Sequence, residues 1–271
     1  MSYEILLFGE LVWNFPLLAL LIGMLFLYVY LLRRYTTIKL YSKKPVLFLL
    51  SICLLYGITG SPLSAFSHLS FSLHMLQMSI LYFILPPLIL AGIPAAFVEA
   101  ILRNRNIKWV EKLFLPATFT LILFAFLFLI YHLPVAMDLF SHYPFLQNGL
   151  FIFLFFLSFQ LWWPVLSPVP EQRLYKERKK RYLFLSGILF MPACTIFIVQ
   201  ALIDGAQHPF LNQLSAQLCL SPEATSLNIL PPAFNSKYDQ VVAGSLMLGI
   251  HKMGMVLSNR LVRHTEGEKY D

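Results

Sequence analysis

Long apolar runs separated by short polar stretches dominate the chain, at about 11–32, 45–63, 71–93, 115–134, 148–167, 182–203 and 239–258. Each is near the roughly 20 residues that a helix needs to cross hydrocarbon. In lipid every backbone amide must be paired within its own segment, so such runs are predicted to be helices. Barrel strands would be about half as long and would alternate polar with apolar positions. The expected fold is all-α: a polytopic membrane bundle of seven transmembrane helices, forming a single domain over 1–271. No repeat of 20 to 50 residues emerges, and no soluble domain. One long outer loop is expected at about 204–238, where Pro209, Pro222, Pro231 and Pro232 can shape a small cap.

Composition agrees with this reading. Hydrophobic residues are 58% of the 271 and charged residues 12%, and mean hydropathy is +0.71; a water-soluble globule needs more polar surface than that. The net charge of +7 does not point to nucleic acid, because the basic residues sit in clusters between the apolar runs. Arg33, Arg34, Lys39, Lys43 and Lys44 lie in the first connection, and Arg103, Arg105, Lys108 and Lys112 in the third. Arg173, Lys176, Arg178, Lys179, Lys180 and Arg181 lie in the fifth, and Arg260, Arg263 and Lys269 in the tail. Only Lys237 and Lys252 fall elsewhere. Lys and Arg are retained in the cytoplasm, so the N-terminus is expected outside and the C-terminus inside. The first run is preceded by Glu4 and Glu10 and followed by arginines, the reverse of a secretory signal, and is read as a retained helix. Cys53, Cys194 and Cys219 form neither a CxxC pair nor a zinc spacing.

Ionisable groups inside a span are costly and therefore mark candidate sites. His74 and Met78 are four residues apart near the outer end of the third run, on one helix face. His132 closes the fourth run, followed by Asp138 and His142; Asp239 and Gln240 open the seventh, with Met247 two turns further on. Packed suitably, these groups converge on the outer half of the bundle. Gln240, Gly244, Met247 and His251 make a polar, small and sulfur-bearing stripe that is expected to face protein. Imidazole with thioether is a soft ligand set suited to Cu(I), and His74, Met78, His132, His142, Met247 and Asp239 are the candidate ligands. The structural alternatives are a helix-bridging histidine, a packing methionine, and an Asp239 that caps its own helix. His68 and His208 read as interfacial, and His251 and His264 lie toward the cytoplasmic end. Pro86, Pro87 and Pro192 are expected to kink their helices and free carbonyls. Trp162 and Trp163 are expected in an interfacial aromatic belt.

The runs HMLQMSILYFILPPLILAGIP, YHLP, WWPV and DQVVAGSLM resemble the CtaG family of cytochrome c oxidase assembly factors, of the seven-span Gram-positive type. The resemblance covers most of the chain. It implies a multi-pass protein of the bacterial plasma membrane that helps to mature a haem–copper oxidase, with copper as its cargo. Oxidase subunits would be its partners, together with an extracytoplasmic copper chaperone. The family pattern carries over to His74, Pro86, Pro87, His132, Trp163, Pro164, Asp239, Gln240, Gly244 and Met247. The chain departs from it at Met78, where relatives commonly have histidine, and between His142 and Gln147, where they have a pair of histidines.

Other functions are weighed by their chemistry. An enzyme is not expected: HExxH is absent, and no Ser–His pairing at recognisable spacing occurs. A haem carrier or electron-transfer protein would use His74 and His132 as axial ligands. A non-metal scaffold for oxidase assembly would use the polar stripe for packing alone. A retinal-type receptor would need a lysine deeper in the seventh span than Lys252.

Overall fold

The computed structural model describes residues 13–67, 70–103, 114–203 and 236–267, and every regular element in them is helical. In chain order these are α1 (Phe15–Tyr35), α2 (Lys43–Thr59), α3 (Pro62–Phe66), α4 (Phe71–Ser79), a π-turn (Ile80–Ile84) and α5 (Leu85–Gly92). There follow α6 (Ala95–Arg103), α7 (Ala117–Tyr131), α8 (Pro134–His142), α9 (Pro144–Leu166), α10 (Lys176–Ile203) and α11 (Ser236–Gly267). Most of the expected outer loop, with Asp204, His208 and Cys219, lies outside the described residues, as do His68 and the side chains of Asp138 and His264.

All seven apolar runs fall on helix. Five stretches among the described residues are long and apolar enough to cross a membrane: Phe15–Tyr35, Phe71–Gly92, Phe145–Leu166, Lys176–Val199 and Tyr238–Val262. The other two runs become α2, with 17 residues, and α7, with 15. The chain is a helical membrane protein.

Local sequence explains where the helices begin and end. The Asn14 side chain accepts from the Leu17 amide at 2.9 Å to open α1. Arg33 and Arg34 sit in its last turn, where cations complement the helix dipole. The segment Phe71–Gly92 is the hub: 72% of its most apolar window is buried, against 17% for α1. Pro86 and Pro87 lie within it. Together they delete the amides four and five residues beyond Tyr82, the two donors that an α- or π-turn offers its carbonyl. The π-turn sits at this point, with the Leu85 amide reaching back to the Ile80 carbonyl.

The freed carbonyl finds a donor in another helix. Trp162 of α9 is buried, and its indole N–H donates to the Tyr82 carbonyl at 3.0 Å. Trp162 therefore departs from the expected aromatic belt, because a buried carbonyl without a partner costs more than moving an indole from the interface. Trp163 is only partly buried and donates to Gln172 at 2.9 Å.

Helix α11 runs along α4, the π-turn and α10. Close approach is possible because its contact face carries glycine. A Cβ on Gly244 would meet the Cys194 carbonyl at 2.5 Å, and one on Gly254 would collide with the Phe83 carbonyl. Gln240, Gly244, Met247 and His251 are all buried, so the stripe faces protein. Around it lies the main core, rich in phenylalanine: Phe71, Phe83, Phe124, Phe128, Phe190 and Phe197. Tyr28, Phe48 and Phe97 belong to a smaller core that joins α1, α2 and α6.

Candidate functional site

Four helix ends meet at one end of the bundle. The start of α4, the end of α7, the start of α11 and the C-terminal part of α10 are tied there by a closed circuit of contacts. Ser70 caps α4, its hydroxyl accepting from the Leu73 amide at 3.4 Å. The carboxylate of Asp239, buried on α11, accepts from the Ser70 hydroxyl at 2.7 Å, the Phe71 amide at 2.6 Å and the Ser72 amide at 3.1 Å. Asp239 thus caps a helix, but the helix is α4 and not its own. A carboxylate at the positive end of a neighbouring helix satisfies orphan amides and gains from the dipole at once.

From Phe71 the circuit passes to the Phe197 ring at 5.7 Å, from Phe197 to His132 at 5.3 Å, and from His132 to Tyr131 at 5.1 Å. The Tyr131 hydroxyl lies 3.1 Å from His74 Nε2 and accepts from the Gln147 amide at 3.3 Å. His74 is one turn from Phe71 on α4, which closes the loop. Both predicted span histidines therefore flank one buried tyrosine.

His132 is fully buried at the C-cap of α7. Its Nδ1 lies 2.5 Å from the Phe128 carbonyl. A carbonyl can only accept, so Nδ1 carries the proton and Nε2 holds the lone pair. That Nε2 is buried and has no hydrogen-bond partner among the described residues. An imidazole oriented by an Nδ1–H···O=C bond, with its other nitrogen bare, has the electronic state of a metal-ligating histidine.

The remaining candidates divide. Met78 follows His74 by one turn on α4 and is buried; Met247 is wholly buried on α11. Their thioethers are the soft groups on the two helices that carry His74 and Asp239. His142 ends α8 and is exposed. Among the described residues no three His, Cys, Asp or Glu side chains come together as a metal site. Any ion held here would rely on sulfur beside imidazole. Cu(I) accepts that donor set at low coordination number, whereas zinc prefers a fuller nitrogen or thiolate shell.

Sequence reasoning passed over Tyr131, Ser70 and the Trp162–Tyr82 contact. Ser70 had a readable signal, a serine immediately before an apolar run. Tyr131 stood in the YHLP motif beside His132, yet a tyrosine at a helix end reads as interfacial until its neighbours are known.

Neither a curated protein nor a solved structure matches the chain. A sequence model described as cytochrome c oxidase caa3 assembly factor matches residues 26–261, which includes α2 to α10, the C-terminal part of α1, most of α11, and every residue of the circuit just described. The chain belongs to the caa3-type cytochrome c oxidase assembly factor family.

Proposed function

We propose that this protein carries Cu(I) as cargo for the oxidase whose assembly its family serves, holding it at the His74–Tyr131–His132 end of the bundle. The observation that carries the reading is His132 Nε2, a desolvated lone pair with no hydrogen-bond partner among the described residues. Leaving such an atom unsatisfied costs about 1–3 kcal/mol, a cost that a transient ligand removes. His132 and His74 supply nitrogen, and Met78 and Met247 supply sulfur. Asp239 serves to lock α11, which carries Met247, to α4, which carries His74 and Met78.

Release follows from the same chemistry. Two imidazoles and the weakly donating thioethers of Met78 and Met247 hold Cu(I) more loosely than a site with three histidines, so ligand exchange runs toward a partner offering that set. Tyr131 holds His74 through its hydroxyl and packs against the His132 ring, which positions both imidazoles. The topology that suits this role has seven spans, the N-terminus outside, and the basic connections and C-terminus in the cytoplasm. The circuit then lies at the extracytoplasmic end, opposite the basic connections. α2 and α7 would complete the seven as short spans, a modest mismatch that local thinning of the bilayer accommodates.

The test is Cu(I) stoichiometry and affinity, measured by competition with a chelator on the purified full chain. Wild type is expected to retain copper, with His132→Ala, His74→Ala and Met78→Ala each weakened. Equal retention in all four would remove these residues from the site and leave a scaffold without a metal. A visible spectrum of the same preparation separates the haem alternative, since haem bound to histidine absorbs strongly.

A further inference from the structure

At the other end of the bundle the first connection, the start of α6 and the segment after α9 surround a cavity of about 600 Å³. Such a volume is in the range of small-ligand sites. Its charged lining is Lys39, Lys43, Lys44 and Arg173, with Glu99 and Glu171. Four cations against two carboxylates leave an excess of two positive charges. Leu90, Ala91, Ile93 and Leu166 supply an apolar wall. The cavity is thus basic on one side and greasy on the other, at a depth where helices end.

Two details of the backbone sharpen this. The N-terminus of α2 opens on the cavity, and its first turn carries two lysines and no acidic residue. That is the wrong sign for a helix N-terminus, which favours anions. In addition, the N-cap Ser42 lines the cavity but makes no side-chain cap bond, and its Oγ is buried with no hydrogen-bond partner among the described residues. Lysines crowding a helix N-terminus and an orphan hydroxyl beside them are both satisfied by one phosphate. Arg173 is already oriented, its Nε donating to the Ser167 carbonyl at 2.8 Å.

We propose that this cavity binds the phosphate headgroup of an anionic phospholipid, with the glycerol and the first acyl carbons against Leu90, Ala91, Ile93 and Leu166. Basic pockets between spans recognise anionic lipids by this combination of charge and apolar wall. The site is separate from the copper reading and does not depend on it. A lipid here clamps α2, α6 and the α9–α10 connection, the parts of the basic face that share the cavity.

The experiment uses the full chain in neutral detergent, with native mass spectrometry and thermal unfolding as readouts. Dioleoyl phosphatidylglycerol, dioleoyl phosphatidylcholine and inorganic phosphate are the probes. Phosphatidylglycerol is expected to bind and raise the Tm, phosphatidylcholine to bind on the order of tenfold more weakly, and phosphate to do neither. Lys44→Gln with Arg173→Gln is expected to lose about tenfold or more of that binding, whereas Lys180→Gln with Arg181→Gln, outside the cavity, keeps it. Ser42→Ala removes a buried atom with no hydrogen-bond partner among the described residues, so it keeps or raises the lipid-free Tm while weakening phosphatidylglycerol. This variant stands in if the double variant does not fold. Equal binding of the two lipids, or equal binding by wild type and Ser42→Ala together with any folded cavity variant, overturns the proposal. Protection by phosphate alone replaces the lipid with a free anion.

Discussion

Replacing Trp162 by Phe tests whether the indole N–H compensates for the paired prolines. The substitution keeps an aromatic ring but removes the donor to the Tyr82 carbonyl, whose alternative donors within its own helix are absent because residues 86 and 87 are proline. The smaller ring also leaves a void, so the single variant mixes two effects. A double-mutant cycle with Pro86→Ala separates them, because alanine returns an amide four residues beyond Tyr82. An unsatisfied buried carbonyl costs about 1–3 kcal/mol, and the void is common to both backgrounds. Trp162→Phe is therefore expected to cost about 1–2 kcal/mol less in the Pro86→Ala background than in wild type. Reversible unfolding of the micellar protein with increasing sodium dodecyl sulfate, followed by far-ultraviolet circular dichroism, gives the four free energies. Additivity to within about 0.5 kcal/mol would refute the compensation.

Further outcomes follow from other contacts. Asp239→Asn replaces an ionised acceptor of three bonds by an amide that turns a donor toward α4, and is expected to cost about 2–3 kcal/mol; faster hydrogen exchange confined to the amides of 71 and 72 would report it. Gly244→Ala drives a Cβ to 2.5 Å from the Cys194 carbonyl, whereas nothing lies within 4 Å of a Cβ on Gly249. The first is expected to destabilise by about 1–3 kcal/mol and Gly249→Ala to be neutral or stabilising, as measured by the same unfolding assay. Tyr131→Phe deletes the hydroxyl shared by His74 and Gln147 and is expected to cost about 1 kcal/mol. It should also weaken Cu(I) binding without abolishing it, because His132 keeps its Phe128 bond.

The sequence by itself determined helical class, membrane residence and the approximate positions of the long apolar helices. Those properties follow from hydropathy summed over some 20 residues, which does not need to know what lies across the bundle. The buried stripe from Gln240 to His251 was legible for a similar reason: helical periodicity alone places its members on one face. The family resemblance singled out His74, His132 and Asp239. What each does was decided only by tertiary structure. Asp239 looked able to cap its own helix, yet a residue on the neighbouring α4 claims it, and a partner more than 160 positions away leaves no local trace. Trp162 looked interfacial because it stands near the end of its apolar run; the carbonyl that holds it was freed by prolines in a different helix. The His74–Tyr131–His132 cluster depends on how α4 and α7 are juxtaposed, and that juxtaposition is set by phenylalanine packing summed over the whole core, a property of the assembled bundle and not of any window of sequence.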